Sequence, residues 1–350
     1  MRAVILAGGE GTRLRPLTLS TPKPVAPVVD RPLLRHQLDL LARAGVREVV
    51  FSVAYRPERV QAVFGDGKAL GMHILYAVED TPLGTGGAVR NAREHLDERT
   101  VVLNGDVLTD VDLKAVLARH ERERASASIL LTPVPNPEAY GLVEADSSGR
   151  VRRFLEKPRP EQITTNTVNA GIYVLETRVL ELMAPGTNLS IERFFFPALL
   201  ERGDVVLGPV HRGYWIDIGT PEKYLQVHRD ILNRRFPVPL EGEPRAEGFV
   251  HPRAEVAAEA LLDGHFYVGP GCRVAAGARL GPDAVLVADV CVEPGAYVRD
   301  SVLWRGVRVG RDCVVEGSLV GPAVTLGRSS MLRDTALGEG SVVSDFSRTL

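Results

Sequence analysis

The chain has 350 residues, 45% hydrophobic and 25% charged, with a formal net charge of −2. That length favours two domains over one, the mix is that of an ordinary globular chain, and the charge balance leaves no basic surplus for a nucleic-acid partner. There is no run of about 18 apolar residues to span a membrane, and the N-terminus lacks the charged-then-apolar shape of a signal peptide, so a cytoplasmic location is expected.

Residues 1–6 (MRAVIL) have the pattern of a strand buried on both faces. The run ends in Ala7-Gly8-Gly9, and Gly11 follows one residue later. Glycines so close together leave backbone N–H groups bare and let a ligand approach. Arg13 and Lys23 add fixed positive charge, while Pro16, Pro22, Pro24 and Pro27 stiffen the path. Such a loop can hold polyphosphate. It is not a Walker A loop, because Thr12-Arg13 follows Gly11 where Lys-Ser/Thr is needed. Nor is it a dinucleotide fingerprint, because Leu14 stands where the third glycine would fall.

The stretch GGEGTRLRPLT followed by PKP resembles the signature of the sugar-1-phosphate nucleotidylyltransferases. Members of that family join a sugar 1-phosphate to a nucleoside triphosphate and release pyrophosphate. The resemblance implies an α/β, Rossmann-like (GT-A-like) catalytic domain with a mostly parallel sheet. It also implies a nucleotide contact by Leu6, Ala7, Gly8, Gly9, Gly11, Thr12, Arg13 and Lys23.

Further along, residues 32–45 carry apolar positions at helical spacing and stop at Gly45. Glu48–Val53 reads as a strand, Pro57–Phe64 as a short helix and His73–Val78 as a strand. This alternation predicts a parallel, doubly wound sheet with its ligand beyond the carboxyl ends of the strands. Leu83-Gly84-Thr85-Gly86-Gly87-Ala88 is a second glycine-rich turn, opening a helical stretch to His95. It is expected to offer free N–H groups and a bare surface for a flat ring. In the resembled family this turn, here with Glu79, Gly84 and Thr85, meets the nucleotide base.

Residues 100–103 read as a strand followed by Asn104-Gly105-Asp106. Asp106 would hang from the strand end, and Mg²⁺ favours one or two carboxylates completed by phosphate oxygens and water. The plainer role for Asp106 is a cap for the helix from Asp112, for which Asp110 is the better candidate. Strands near 127–132, 141–145 and 151–155 flank Tyr140-Gly141, where a backbone can come close, and Glu156-Lys157, an acid and a cation at a strand end. The resemblance assigns Glu156 to sugar hydroxyls and Lys157 to the sugar phosphate, with Gly141 beside them. Asn169, ahead of a strand over 172–175, can donate to and accept from a sugar hydroxyl. In YWIDIGTP, Asp217 resembles the second metal-binding aspartate, and Thr220-Pro221 starts a helix to about Arg235.

Lysine occurs only at 23, 68, 114, 157 and 223, so each retained ammonium is informative. Two of them fall in PKP and EKP, contexts suited to a point charge on phosphate. The attacking oxygen of a sugar phosphate is already anionic, so no general base is needed. No GxSxG occurs. The expected roles are catalytic for Arg13, Lys23 and Lys157, with Asp106 and Asp217 on Mg²⁺. Cys272, Cys291 and Cys313 form no CxxC pair and read as small buried hydrophobes.

Residues 237–250, rich in proline and glycine, read as a linker between a catalytic segment 1–236 and a tail 251–350. In the tail Val256, Leu262, Val268, Val274, Leu280, Leu286, Val292 and Val298 fall six apart. Later the triplets at 301, 318 and 335 recur every 17 residues. This period marks a parallel β-helix, left-handed in the resembled family, whose coils are stable only when stacked. Its only histidines, His251 and His265, give weak support to an acyltransferase, and a scaffold for a homo-oligomer is the preferred reading. The closest form of the resemblance is to the mannose-1-phosphate guanylyltransferases, which carry such a tail, so GTP and a sugar 1-phosphate, mannose 1-phosphate first, are the expected substrates. The alternatives are adenylyl, thymidylyl or uridylyl transfer to glucose 1-phosphate, and a silent sensor of nucleotide sugars that would have lost Arg13, Lys23, Asp106, Lys157 or Asp217.

Overall fold

The apolar opening run becomes the strand Arg2–Leu6 in the computed structural model, which describes residues 1–349. Ala3, Val4 and Ile5 are fully buried, as a central strand requires. The strand runs parallel to Glu48–Val53 on one side and Arg99–Asn104 on the other, with Val4 opposite Val50 and Val102. His73–Val78 adds a further parallel strand beyond Glu48–Val53. The other half of the nine-stranded sheet is mostly antiparallel: Thr167–Glu176 pairs with Arg99–Asn104 and also with Ala127–Pro133 and Gly141–Ala145, Val151–Glu156 closes that edge, and the short strand Val206–Leu207 runs parallel to Ala127–Pro133. The strand–helix alternation does not extend to this half. Residues 127–156 are strands with no intervening α-helix: a short return pairs Gly141–Ala145 with Val151–Glu156, and Ala127–Pro133 and Gly141–Ala145 each run antiparallel to Thr167–Glu176. Val4, Val50, Val102 and Tyr173 share one core with Val89 of the helix Gly84–Asn91 and with Phe195 and Phe196.

Two helix details differ from expectation. The helix Leu113–Arg122 is capped by Asp112 itself, whose Oδ1 accepts from the Ala115 N–H at 3.2 Å. Asp110 is not the cap, because its Oδ1 is engaged by His211 Nε2 at 2.8 Å. The helix begun by Thr220 ends at Leu232.

Packing divides the chain into two compact units, Met1–Gly9 with Leu34–Trp215 and Glu10–Leu33 with Ile216–Leu350. The proline-braced loop therefore packs with the C-terminal part of the chain, while the strand before it belongs to the sheet. Residues 237–250 contain a hairpin, Glu243–Arg245 against Gly248–Val250, and the second strand of this pair starts one of three parallel ladders. In a second ladder Val256, Val274 and Val292 stack eighteen residues apart, then Val292, Val309 and Leu326 seventeen apart. Their side chains fill a core with Cys272 and Cys313, whose burial pushes both thiols up. This is the parallel β-helix that the six-residue period anticipated.

The helix Pro221–Leu232 ties the loop to this β-helix. Arg229 makes a fork on Asp300 at 2.5 and 2.6 Å, and the ring of Tyr224 meets Trp304 edge-on. On the loop side, Tyr224 Oη donates to the Pro27 carbonyl and the Val29 N–H donates to His228 Nδ1. At the other end of the loop, a Cβ on Gly338 of the last coil would lie 3.2 Å from Pro16. Tyr224 is 1% exposed and holds both sides together. Tyr224→Ala is expected to cost about 3–5 kcal/mol of unfolding free energy, read from urea denaturation. A loss under about 1 kcal/mol would mean that the loop does not depend on this contact.

Candidate active site

In the first unit, the carboxyl ends of three parallel strands form one edge. Leu6 lies opposite Ser52 and Asn104, and its carbonyl accepts from the Gly105 N–H at 2.9 Å. A Cβ at 105 would sit 2.4 Å from that same oxygen, so only glycine fits. This contact delivers half-buried Asp106 just beyond the strand end. The Ala7 N–H is spent on the Ser52 carbonyl. A Cβ at Gly9 would meet nothing within 4 Å, whereas one at Gly8 would touch Ala54 and Glu79 at 3.3 Å.

Glu79 is 9% exposed and braces the next turn: Oε1 accepts from the Ser52 hydroxyl at 2.8 Å and Oε2 from the Leu83 N–H at 2.9 Å. The glycines after it serve packing more than an open surface. The N–H groups of Gly86 and Gly87 both donate to the Leu189 carbonyl, so they are not free as the sequence suggested. Side chains at 84 and 87 would come within 2.7 and 2.3 Å of the carbonyls of Leu189 and Thr187. Thr85 Oγ1 is likewise used, donating to Glu192 at 2.7 Å and accepting from the Ile191 N–H at 2.9 Å.

Glu156 and Lys157 end their strand together. Gly141 lies under the acid: a Cβ there would be 2.9 Å from Glu156 Oε2. Burial, then the nearby Glu192, raise the Glu156 carboxyl above its ordinary range, against Lys157 and Arg193. Its carboxylate accepts no hydrogen bond from the described residues. Lys157 is exposed, with φ of +52°, a left-handed conformation that costs energy for a residue with a Cβ and concentrates at functional positions. Its N–H donates to the Tyr140 carbonyl at 3.1 Å, which fixes the bend. Asn169 stands close by, Nδ2 donating to Tyr173 Oη and Oδ1 accepting from the Gly171 N–H, both at 2.9 Å. Each polar atom of that amide keeps one further bond for a ligand.

In the second unit, Gly11 has φ of +63° and opens the short turn Thr12–Leu14, and its carbonyl accepts from Thr18 Oγ1 at 2.8 Å. Lys23 packs its stem on Gly11, where a Cβ would come within 3.2 Å. Arg13 lies over Gly219, where a Cβ would come 2.9 Å from its guanidinium. Asp217 makes an ion pair with Lys223 Nζ in the first turn of the helix Pro221–Leu232. That unit thus gathers Arg13, Gly219, Asp217 and Lys223.

Lys223 and Glu192 carry no role in the sequence reading. The scarcity of lysine points to 223 as much as to 23 and 157. For Glu192, the one signal is an acid at the head of the aromatic run Phe194-Phe195-Phe196. Among the described residues no group of three or more His, Cys, Asp or Glu gathers that could hold a metal unaided. Asp106 in the first unit and Asp217 in the second are each half-buried carboxylates, the donor type a hard ion takes when phosphate and water fill its other positions. No helix among those residues is long and apolar enough to cross a membrane.

The family profile described as Nucleotidyl transferase matches residues 2–234. The chain belongs to that family. A second profile, described as GMPPB C-terminal domain, matches residues 262–347. A mannose-1-phosphate guanylyltransferase of Mycobacterium tuberculosis is 41% identical over 90% of this chain and 82% of its own. Mannose-1-phosphate guanylyltransferase 1 of Arabidopsis thaliana is 36% identical over 99% of this chain and 93% of its own. Among solved structures, HddC from Yersinia pseudotuberculosis complexed with GMP-PN is 29% identical, with a TM-score of 0.56, and covers 65% of this chain and 97% of its own. As a nucleotidyl transferase, the chain acts on a nucleoside triphosphate and a sugar phosphate.

Proposed function

We propose that this protein is a mannose-1-phosphate guanylyltransferase, making GDP-mannose and pyrophosphate from GTP and mannose 1-phosphate. The observation that carries the reaction class is Glu156: a half-buried carboxylate with no donor of its own beside strained Lys157. A carboxylate in that state gains from hydroxyl donors, and an adjacent ammonium gains from a phosphate. The names of the relatives support guanine and mannose.

In this reading an oxygen of the sugar phosphate forms a bond to the α-phosphorus of GTP, and the bond from that phosphorus to the β-bridging oxygen breaks. The electron pair leaves on pyrophosphate, and no proton need be removed from the nucleophile. Lys157 holds the attacking phosphate in line, while Glu156 and Asn169 take sugar hydroxyls with Gly141 giving room. Arg13, Lys23 and the N–H groups of Gly9 to Thr12 hold the leaving phosphates, with Leu6, Ala7 and Gly8 beside them. Glu79, Gly84 and Thr85 shape the base side, two of them by bracing the turn. A divalent ion, Mg²⁺ in this reading, would be held by Asp106 and Asp217 and would supply charge neutralisation between the phosphates.

The β-helix we read as a scaffold for a homo-oligomer, supported by exposed Val342 and Phe346 on its last coil. A cytoplasmic place suits substrates of this kind. Pyrophosphate release measured for each common nucleoside triphosphate against mannose and glucose 1-phosphates tests the assignment. Release is expected to be fastest with GTP and mannose 1-phosphate. A clear preference for ATP, dTTP or UTP would overturn the choice of base.

A further inference from the structure

We propose that Glu192 is a positioning residue of the sugar-phosphate site, its carboxylate fastening the nucleotide-side helix to the sugar-side strand. The inference rests on reading Glu156, Lys157 and Asn169 as that site. Glu192 lies in a single turn of π-helix, Ile191–Phe195, a distortion that frequently accompanies functional sites. Ser190 locks the turn: its Oγ accepts from the N–H groups of Glu192 and Arg193 at 3.2 and 3.1 Å and donates to Glu192 Oε2 at 2.6 Å. The Thr85 hydroxyl, in the helix Gly84–Asn91, donates to the same oxygen at 2.7 Å.

The other oxygen faces the sugar side. Tyr173 Oη stands 3.5 Å from Oε1 and accepts from Asn169 Nδ2 at 2.9 Å. Tyr173 is fully buried in the strand Thr167–Glu176, so its hydroxyl has no water to turn to. A chain of donors therefore runs from Asn169 through Tyr173 to an anion, which fixes the sense of the Asn169 amide. Charge in such a chain strengthens each bond along it. Glu192 also faces Glu156, together with Lys157 and Arg193, and contributes to holding the Glu156 carboxyl above its ordinary range. One acid thus orients one sugar ligand and tunes the other.

The test compares Glu192→Ala, Glu192→Gln and Tyr173→Phe with the wild type in steady state. Glu192→Ala is expected to raise the KM for the sugar 1-phosphate by about tenfold, the scale of one buried charged hydrogen bond, and to raise the KM for the nucleotide by less, through the freed Thr85 hydroxyl. Glu192→Gln keeps an oxygen acceptor and should recover most of that loss. With the like charge gone, Glu156 ionises at lower pH, so the acid limb of kcat/KM for the sugar 1-phosphate moves to lower pH than in the wild type. The ionisation of the sugar phosphate itself is common to both enzymes and cancels. Should Glu192→Ala not fold, the glutamine variant and Tyr173→Phe decide, the latter by raising the same KM alone. Wild-type KM values throughout, a nucleotide KM that rises as much as that of the sugar 1-phosphate, or an unmoved acid limb in Glu192→Gln would overturn the inference. Absence of turnover in the wild type would overturn the reading of the site, and this inference with it.

Discussion

Lys157→Ala is expected to lower kcat by about 10²–10³ and to leave the melting temperature unchanged. The side chain is exposed, so its removal opens no cavity, and alanine can keep the backbone bond from the Lys157 N–H to the Tyr140 carbonyl. The left-handed bend is therefore retained while the ammonium is lost. What remains is two phosphates that repel each other with no fixed cation on the attacking one. Arginine should not restore the rate fully, because a planar fork cannot replace a compact charge at the tip of a bent strand. The check is turnover at saturating substrates beside a thermal melt. Turnover within a few-fold of wild type would remove Lys157 from the chemistry.

Asp106→Asn is expected to have a comparable effect, again about 10²–10³ in kcat, with the fold intact. Asparagine has the same shape, and the Gly105–Leu6 contact that delivers residue 106 to the strand end involves backbone alone. The substitution deletes a negative charge where a divalent ion would need one, so the metal concentration for half-maximal rate should rise along with the fall in kcat. Titrating the variant with Mg²⁺ while following pyrophosphate separates the two effects. An unchanged metal requirement would contradict the assignment of Asp106 to the ion.

The parts of the site legible in the sequence are those whose chemistry is local. Gly8, Gly9 and Gly11 bare a loop, Gly141 lets a backbone come close, and Glu156-Lys157 sits at a strand end whatever else surrounds it. The six-residue period likewise exposes the β-helix, because stacking needs one aliphatic residue at each repeat and nothing from afar. Parts that depend on distant segments were not legible. Gly86 and Gly87 look like a ligand surface until Leu189 is seen to take both N–H groups. Asp110 looks like a cap until His211 claims it. Glu192 gains meaning only because a π-turn brings it to Thr85 and Tyr173, more than a hundred residues from the first of these. Lys223 reads as one more charge on a helix until its ion pair with Asp217 is seen. The antiparallel half of the sheet is missed for a related reason, since strand spacing alone does not say which neighbour a strand will choose.

The most direct measurement is phosphorus NMR of the purified protein incubated with GTP, mannose 1-phosphate and Mg²⁺. The expected spectrum gains the signals of a nucleoside diphosphate sugar and of free pyrophosphate in equal amounts, and gains neither when a chelator is present. Substrate signals that broaden on binding while no pyrophosphate ever forms would contradict transfer and make the protein a binder of nucleotide sugars.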